Sequence, residues 1–203
     1  MDTKNLPTKR NLILARQKLQ LARKGYDLLD KKRQVLTNEL ILVQEQSVDF
    51  KKNLYTALAR ANDALRTAYK EMGLRAMRSL CDSIPKTASV MIFSRSIMGV
   101  RLPLVKSEYI KSSLRYSLYE TTLSFDEAVL AWEAACDFII AWGAAENAIH
   151  RLNLQINKTR KRANALENII IPTYESRINY IQEQLEERER DELSRLKLIK
   201  NKA

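Results

Sequence analysis

A chain of 203 residues that is 45% hydrophobic, with a formal charge of +11, has material for one or two ordinary domains, but only four Gly and four Pro to turn them. Cys81 and Cys136 stand alone without a CxxC or Cys/His grouping, which excludes a disulfide framework or a zinc site and suits inert thiols in a reducing compartment. No unbroken apolar run reaches the ~18 residues of a membrane span. The polar start Met1-Asp2-Thr3-Lys4-Asn5 is unlike a signal peptide, so the expectation is a soluble protein, or one peripheral through a partner.

Thr8, following Pro7, is a plausible N-cap for a helix that meets no breaker until about Met72, where Gly73 is able to close it. Apolar residues recur along it in steps of three and four: Leu12, Ala15, Leu19, Ala22, Tyr26, Leu29, then Leu36, Leu40, Val43, then Phe50, Leu54, Ala57, Ala61, Ala64 and Ala68. Only Arg33 and Ser47 interrupt them. Such a narrow stripe is a coiled-coil seam rather than the broad face of a globular helix, so the first third of the chain is predicted to be a rod. Gly25, inside this helix, costs about 1 kcal/mol relative to Ala. It is either a tolerated surface glycine or the mark of a bulky neighbour approaching closely.

From Ile84 to Val105 the composition turns β-branched and is bounded by Pro85 and Pro103. This predicts a short hairpin, with strands near Val90–Phe93 and Val100–Leu102 and a turn around Ser94–Ser96; a Pro near each outer end suits edge positions. Beyond Ser107 a second helical region builds up. From Ala128 the three-four stripe is continuous through Ala131, Ala135, Phe138, Trp142, Ala145, Ile149, Leu152, Ile156, Thr159, Ala163, Leu166 and Ile170. It then continues as Tyr174, Ile178, Ile181 and Leu185, with several four-residue steps in succession around Pro172. An insertion of that kind unwinds a coiled coil locally, and the proline bends the helix.

Two long helices joined through a compact middle must fold back antiparallel if their seams are to cover each other. The predicted fold class is therefore mainly α: a long antiparallel two-helix coiled coil from residues 1–72 and 128–203, with a short helical middle section, 73–127, that carries a small β-hairpin near 89–103. Residues 1–34 sum to +7 and residues 193–203 to +4, so the remainder is neutral and the excess charge lies at the two chain ends. In the antiparallel arrangement the acidic block 183–192 lies roughly beside Arg16, Lys18, Arg23 and Lys24. Lys4, Lys9 and Arg10 then face Arg195, Lys197, Lys200 and Lys202 across a repulsive basic tip.

Catalytic chemistry is not visible: no Gly-rich phosphate loop or nucleophile elbow occurs, and the single His150 has no Cys or second His nearby. These features argue against an enzyme and against a bound cofactor or metal. Basic ends, together with Lys158-Thr159-Arg160-Lys161-Arg162, admit nucleic-acid binding, but no aromatic residues interleave to stack bases. A free coiled-coil scaffold is the other alternative.

Three groups of residues carry a family resemblance. The first is Pro7-Thr8-Lys9 with Lys18-Leu19, Ala22, Gly25, Leu28-Leu29, Lys32-Arg33 and Leu36. The second is Met98-Gly99-Val100 with Pro103. The third is Arg162-Ala163-Asn164-Ala165-Leu166-Glu167, Ile170-Ile171-Pro172, Tyr180-Ile181, Leu185 and Leu196-Lys197. Together, and in this order over essentially the whole chain, they resemble the D subunit of V-type (archaeal/vacuolar) ATPases and ATP synthases. Ala163, where the family usually has Val, and Thr173-Tyr174, where a more acidic stretch is common, are the visible departures.

The resemblance implies a non-catalytic rotor component of the central stalk. Its paired termini would insert into the hexamer of A and B subunits, where the ATP chemistry occurs, and its middle section would contact the F subunit. The C or d socket component would join the stalk to the membrane rotor, so the chain would be cytoplasmic and peripheral to the membrane, coupling ATP to proton or sodium transport. On this reading Lys4, Lys9, Arg10, Arg195, Lys197, Lys200 and Lys202 are the candidate sleeve-contacting tip.

Overall fold

The structure, a computed structural model, describes residues 6–83, 88–109 and 121–200. Helix α1 spans Lys9–Ser83 and is capped as expected. The Asn11 N–H donates to Thr8 Oγ1 at 3.3 Å, satisfying a donor that the first turn leaves free, and the Leu12 N–H donates to the Thr8 carbonyl at 3.0 Å as the first bond of the helical ladder. The expected break after Met72 is present. Gly73 does leave helical geometry, at φ 77 and ψ 163, but the chain kinks there and resumes the helix to Ser83. The added turns are held because Met77 and Leu80 bury into one cluster with Ala68, Phe125 and Ala128.

Strands β1 (Ala88–Ile97) and β2 (Val100–Tyr109) pair antiparallel in a two-stranded sheet. Their register runs from Ala88↔Tyr109 to Ile97↔Val100, so the turn is Met98-Gly99, and Ser94–Ser96, where the turn was expected, lies inside β1. Backbone twist decides this. A two-residue hairpin turn of the favoured hand needs positive φ at both central residues, and Met98 and Gly99 adopt φ 48 and φ 80. Pro103 pairs with Ser94 within β2 rather than at its outer end, which a ribbon of two edge strands tolerates.

The C-terminal run comprises α2 (Leu123–Ala165), a π-helical turn (Leu166–Ile170) and α3 (Ile171–Lys200). Helix α2 begins after Thr122, whose carbonyl accepts the Phe125 N–H at 3.0 Å. Of the stretch beyond Ser107 where a helical build-up is expected, 107–109 belong to β2 and 110–120 lie outside the described residues. The π turn sits where the stripe shifts. The Ile171 N–H bonds back to the Leu166 carbonyl, five residues away, so the backbone loops out one extra residue just before Pro172. Pro172 has no N–H to donate, and its ring would crowd the carbonyl four residues earlier, which favours widening at this point. As a result Ile170, assigned to the seam by spacing, is 37% exposed, and the seam resumes at the buried Ile178 and Ile181.

The chain divides into two compact units, residues Leu36–Gln155 and residues Met1–Val35 with Ile156–Ala203. Within the first unit, Ser47, Leu54, Ala61 and Ala68 recur every seven residues of α1 and are all buried, so Ser47 belongs to the seam it was expected to break. Phe125, Ala128, Ala135, Ala145, Ala148 and Leu152 are the buried residues that α2 contributes. Alanines at so many seam positions bring the two backbones close.

In the second unit, Ala15 and Ala22 of α1, Thr159 and Ala163 of α2, and Ile178 and Ile181 of α3 are buried. Lys9 pairs with Glu189 at 3.3 Å and Arg23 with Glu175 at 2.7 Å, so partners descend on one helix as they ascend on the other, the mark of an antiparallel pair. Arg33, the other interruption of the stripe, is half-buried and pairs with Asp30 at 2.6 Å. Gly25 lies on this seam. A Cβ there would meet Leu166 Cδ1 at 3.9 Å, an ordinary contact, so no close approach requires the glycine. Gly25→Ala is expected to raise stability by about 0.5–1 kcal/mol, read as a higher urea midpoint at unchanged m-value.

Candidate functional site

The tip residues are not all placed as the charge pattern suggested. Arg10, Arg195, Lys197 and Lys200 are exposed, and Lys4 and Lys202 lie outside the described residues. Lys9 does not face a row of cations: its partner is Glu189, and Arg188 donates to the Pro7 carbonyl at 3.1 Å. The start of α1 is thus level with 188–189. Arg23 likewise meets Glu175 rather than the acidic block 183–192. Helix register decides these pairings, and a charge tally cannot supply it.

Sequence reasoning missed the apolar side of the end of α3. Leu193, Leu196, Leu198 and Ile199 are each at least 60% exposed among its cations. The signal was present in the three-residue steps Leu193, Leu196, Ile199, which continue past the acidic block. Exposed leucines beside lysines form an amphipathic surface suited to a protein partner with both apolar and polar groups.

A second exposed surface belongs to the hairpin. Leu102 is its buried anchor, and two polar contacts fasten it to the helices: Arg95 Nη1 lies 3.7 Å from Glu39 Oε1, and Arg151 Nη1 donates to the Arg101 carbonyl at 3.1 Å. Away from that anchor, Val90, Met91, Ile92, Phe93 and Leu104 are exposed. An open groove of about 360 Å³ runs where the hairpin meets α1 and α2, lined by residues that include Leu42, Phe50, Leu104 and Ala145. A larger one, about 580 Å³, is lined by Thr56, Ala57, Arg60, Glu127, Leu130 and Phe138. Neither brings together a nucleophile, a base and an oxyanion donor.

Helix α2 also carries apolar residues on its outer side, Leu123, Leu130 and Ile139 among them. One 18-residue window of the helical run Leu123–Lys200 is long and apolar enough to cross a membrane by length and composition. A search for unbroken apolar runs misses it because Glu133 and Asp137 interrupt that stretch. Ala128 and Ala135 of that stretch are buried, and 17% of the window is buried in all.

Among the described residues, no three His, Cys, Asp or Glu side chains are grouped to hold a metal ion, and His150 is exposed on α2. The Tyr26 phenol is electrostatically perturbed. The Glu167 carboxylate beside it is the main cause that raises the phenol above its ordinary value of 10.0, with desolvation, Asp30 and a hydrogen bond to Glu167 adding to it. A raised phenol pKa favours the neutral form in the folded chain. The linked stability is therefore complete below pH about 10 and is lost as pH rises through the raised value. Glu167→Gln is expected to bring the Tyr26 titration down toward 10.0, measured by NMR of tyrosine-labelled protein.

The described residues form an antiparallel pair of long helices with a small tethered hairpin and surfaces rich in exposed apolar and cationic groups, the architecture of a helical coiled-coil protein. The sequence profile of the family described as the D subunit of ATP synthase matches residues 11–201. The D subunit of the V-type ATP synthase of Thermotoga neapolitana is 37% identical over 196 residues, covering 97% of each chain. The D subunit of the A-type ATP synthase of Methanobrevibacter smithii is 35% identical, covering 96% of this chain and 86% of its own. That of Pyrococcus horikoshii is 31% identical, covering 96% and 92%. The chain belongs to the family of ATP synthase D subunits.

Proposed function

We propose that the chain is the non-catalytic central-stalk rotor of a V-type ATP synthase or ATPase, coupling ATP synthesis or hydrolysis in a hexamer of A and B subunits to proton or sodium transport. The observation that carries this reading is the amphipathic end of α3, where Leu193, Leu196 and Ile199 are exposed beside Arg195, Lys197 and Lys200. A surface that is apolar and cationic at once suits a surrounding protein sleeve better than water alone. An antiparallel pair inside a pseudo-threefold sleeve meets each catalytic interface with a different face. Differential contact of that kind can bias each interface toward a different conformation.

In this reading residues 1–72 and 128–203 form the shaft, with Lys4, Lys9, Arg10 and Lys202 completing its sleeve-contacting tip. The middle section, 73–127, meets the F subunit and the C or d socket component of the membrane rotor, and its exposed hairpin residues Ile92 and Phe93 fit protein contacts of this sort. The chain is then cytoplasmic and peripheral to the membrane through its complex. Isolation of the native complex through this chain, followed by mass spectrometry of the intact assembly, is expected to recover A, B and F subunits. In that assembly, Lys197→Glu with Lys200→Glu should lower ATP-driven ion transport more than ATP turnover, most strongly at low salt. Recovery of the chain alone, or equal transport across the salt series, would overturn the reading and leave a free scaffold.

A further inference from the structure

The neutral sum of residues 35–192 conceals a local excess of charge. From Glu146 to Glu167 the sequence of α2 and the start of the π turn contains no carboxylate between those two, but it does contain Arg151, Lys158, Arg160, Lys161 and Arg162. Thr159 and Ala163 are 2% and 3% exposed and fix the inward face, so Lys158, Arg160, Lys161 and Arg162 fan across the outer arc of the helix, all exposed. Helix α1 adds to them. Gly25 is level with Leu166, so seven residues onward Lys32 is level with Thr159, and Lys31 stands beside it.

Elsewhere in this unit the chain sets carboxylates against its cations, as in Lys9–Glu189, Arg23–Glu175 and Arg33–Asp30. Among the described residues, none of the four cations on α2 or the two lysines on α1 has a carboxylate within ion-pair distance. Asp30, the nearest acid in sequence to Lys31, is held by Arg33 at 2.6 Å and by Gln34 at 3.0 Å. Like charges three and four residues apart, as in Lys158, Lys161 and Arg162, weaken a helix. An external acidic group offsets that repulsion.

We propose that Lys31, Lys32, Lys158, Arg160, Lys161 and Arg162 form a basic girdle that docks an acidic polypeptide segment of a partner protein. The convex arrangement favours protein over phosphate polymer. The cations diverge around a helix rather than converge in a cleft, and the stretch from Lys158 to Arg162 holds no aromatic residue on which a base could stack. An extended acidic loop can follow such a belt and match its charges one by one. This inference goes beyond the rotary role and requires none of it.

The test uses the purified full chain and a fluorescein-labelled peptide of about ten glutamates, read by fluorescence anisotropy at low salt. The variant Lys158→Gln/Arg160→Gln/Lys161→Gln/Arg162→Gln keeps good helix formers, and its helicity is checked by circular dichroism. It is expected to lose about tenfold in affinity, with the pair Lys158→Gln/Lys161→Gln intermediate. The control Arg10→Gln/Arg195→Gln/Lys197→Gln/Lys200→Gln removes the same charge from the tip and is expected to lose less than about twofold. Equal losses in the two quadruple variants would overturn the girdle as a site and reduce it to net charge. Tighter binding of duplex DNA, or of phosphatidylserine vesicles, than of the peptide would overturn the acidic protein partner.

Discussion

Deleting Asn157 is expected to unseat the unit formed by residues 1–35 and 156–203. Asn157 is exposed and makes no seam contact of its own, so the effect comes from geometry. Each helical residue turns the chain by about 100°, and removing one rotates everything after it by that angle. Thr159, Ala163, Ile178 and Ile181 would then leave the interface with α1, where they are now 2%, 3%, 8% and 0% exposed. Exposing a fully buried isoleucine costs about 1.5–3 kcal/mol, so the two together account for a loss on the order of 3–6 kcal/mol. Hydrogen exchange should show the loss of protection confined to this unit.

The matching deletion of Asn168 should behave differently. Asn168 is an exposed residue within the π turn, where one residue is already looped out. Its removal returns the spacing from Ala163 to Ile178 toward three-four alternation, and the change in stability is expected to stay within about 1 kcal/mol. If both deletions cost the same, the π turn does not store the extra residue of the shifted seam.

Phe125→Ala is expected to remove about 3–5 kcal/mol, because a buried aromatic leaves both lost transfer energy and a cavity. Phe125 is 2% exposed and packs in one cluster with Ala68, Met77, Leu80 and Ala128. Relaxation into the space is limited, since Ala68 and Ala128 have no side-chain length with which to fill it. Met77 and Leu80 lie beyond the Gly73 kink, so the helical turns up to Ser83 lose the contact that seats them. A lowered urea midpoint, together with faster exchange of amides 74–83, would confirm the dependence. A loss below about 1 kcal/mol would show that the cluster does not hold that segment.

The two long helices were legible because a heptad stripe reports directly on which face is buried, and Ala61, Ala68, Ala135 and Leu152 are indeed buried. Thr8 was legible as a cap because capping chemistry is local. The hairpin was visible from its β-branched composition, but its turn was misplaced because Met98 is not a residue that advertises positive φ. Pro172 and the run of four-residue steps pointed to a disturbance. That it takes the form of a π turn, with Ile170 turned outward, depends on how the widened backbone meets α1.

The surfaces were harder to read. Charge totals placed the basic excess at the chain ends, yet Lys9 is paired with Glu189, and the cations of α2 from Lys158 to Arg162 lie within the stretch that sums to zero. By itself the sequence determined the helices, the hairpin and the antiparallel pairing, because these follow from local propensity and apolar periodicity. Only the tertiary structure decided which charges meet, which seam residues are displaced and which apolar side chains remain exposed. Those outcomes depend on register across two helices, and register is set by the packing of residues more than a hundred positions apart in the chain.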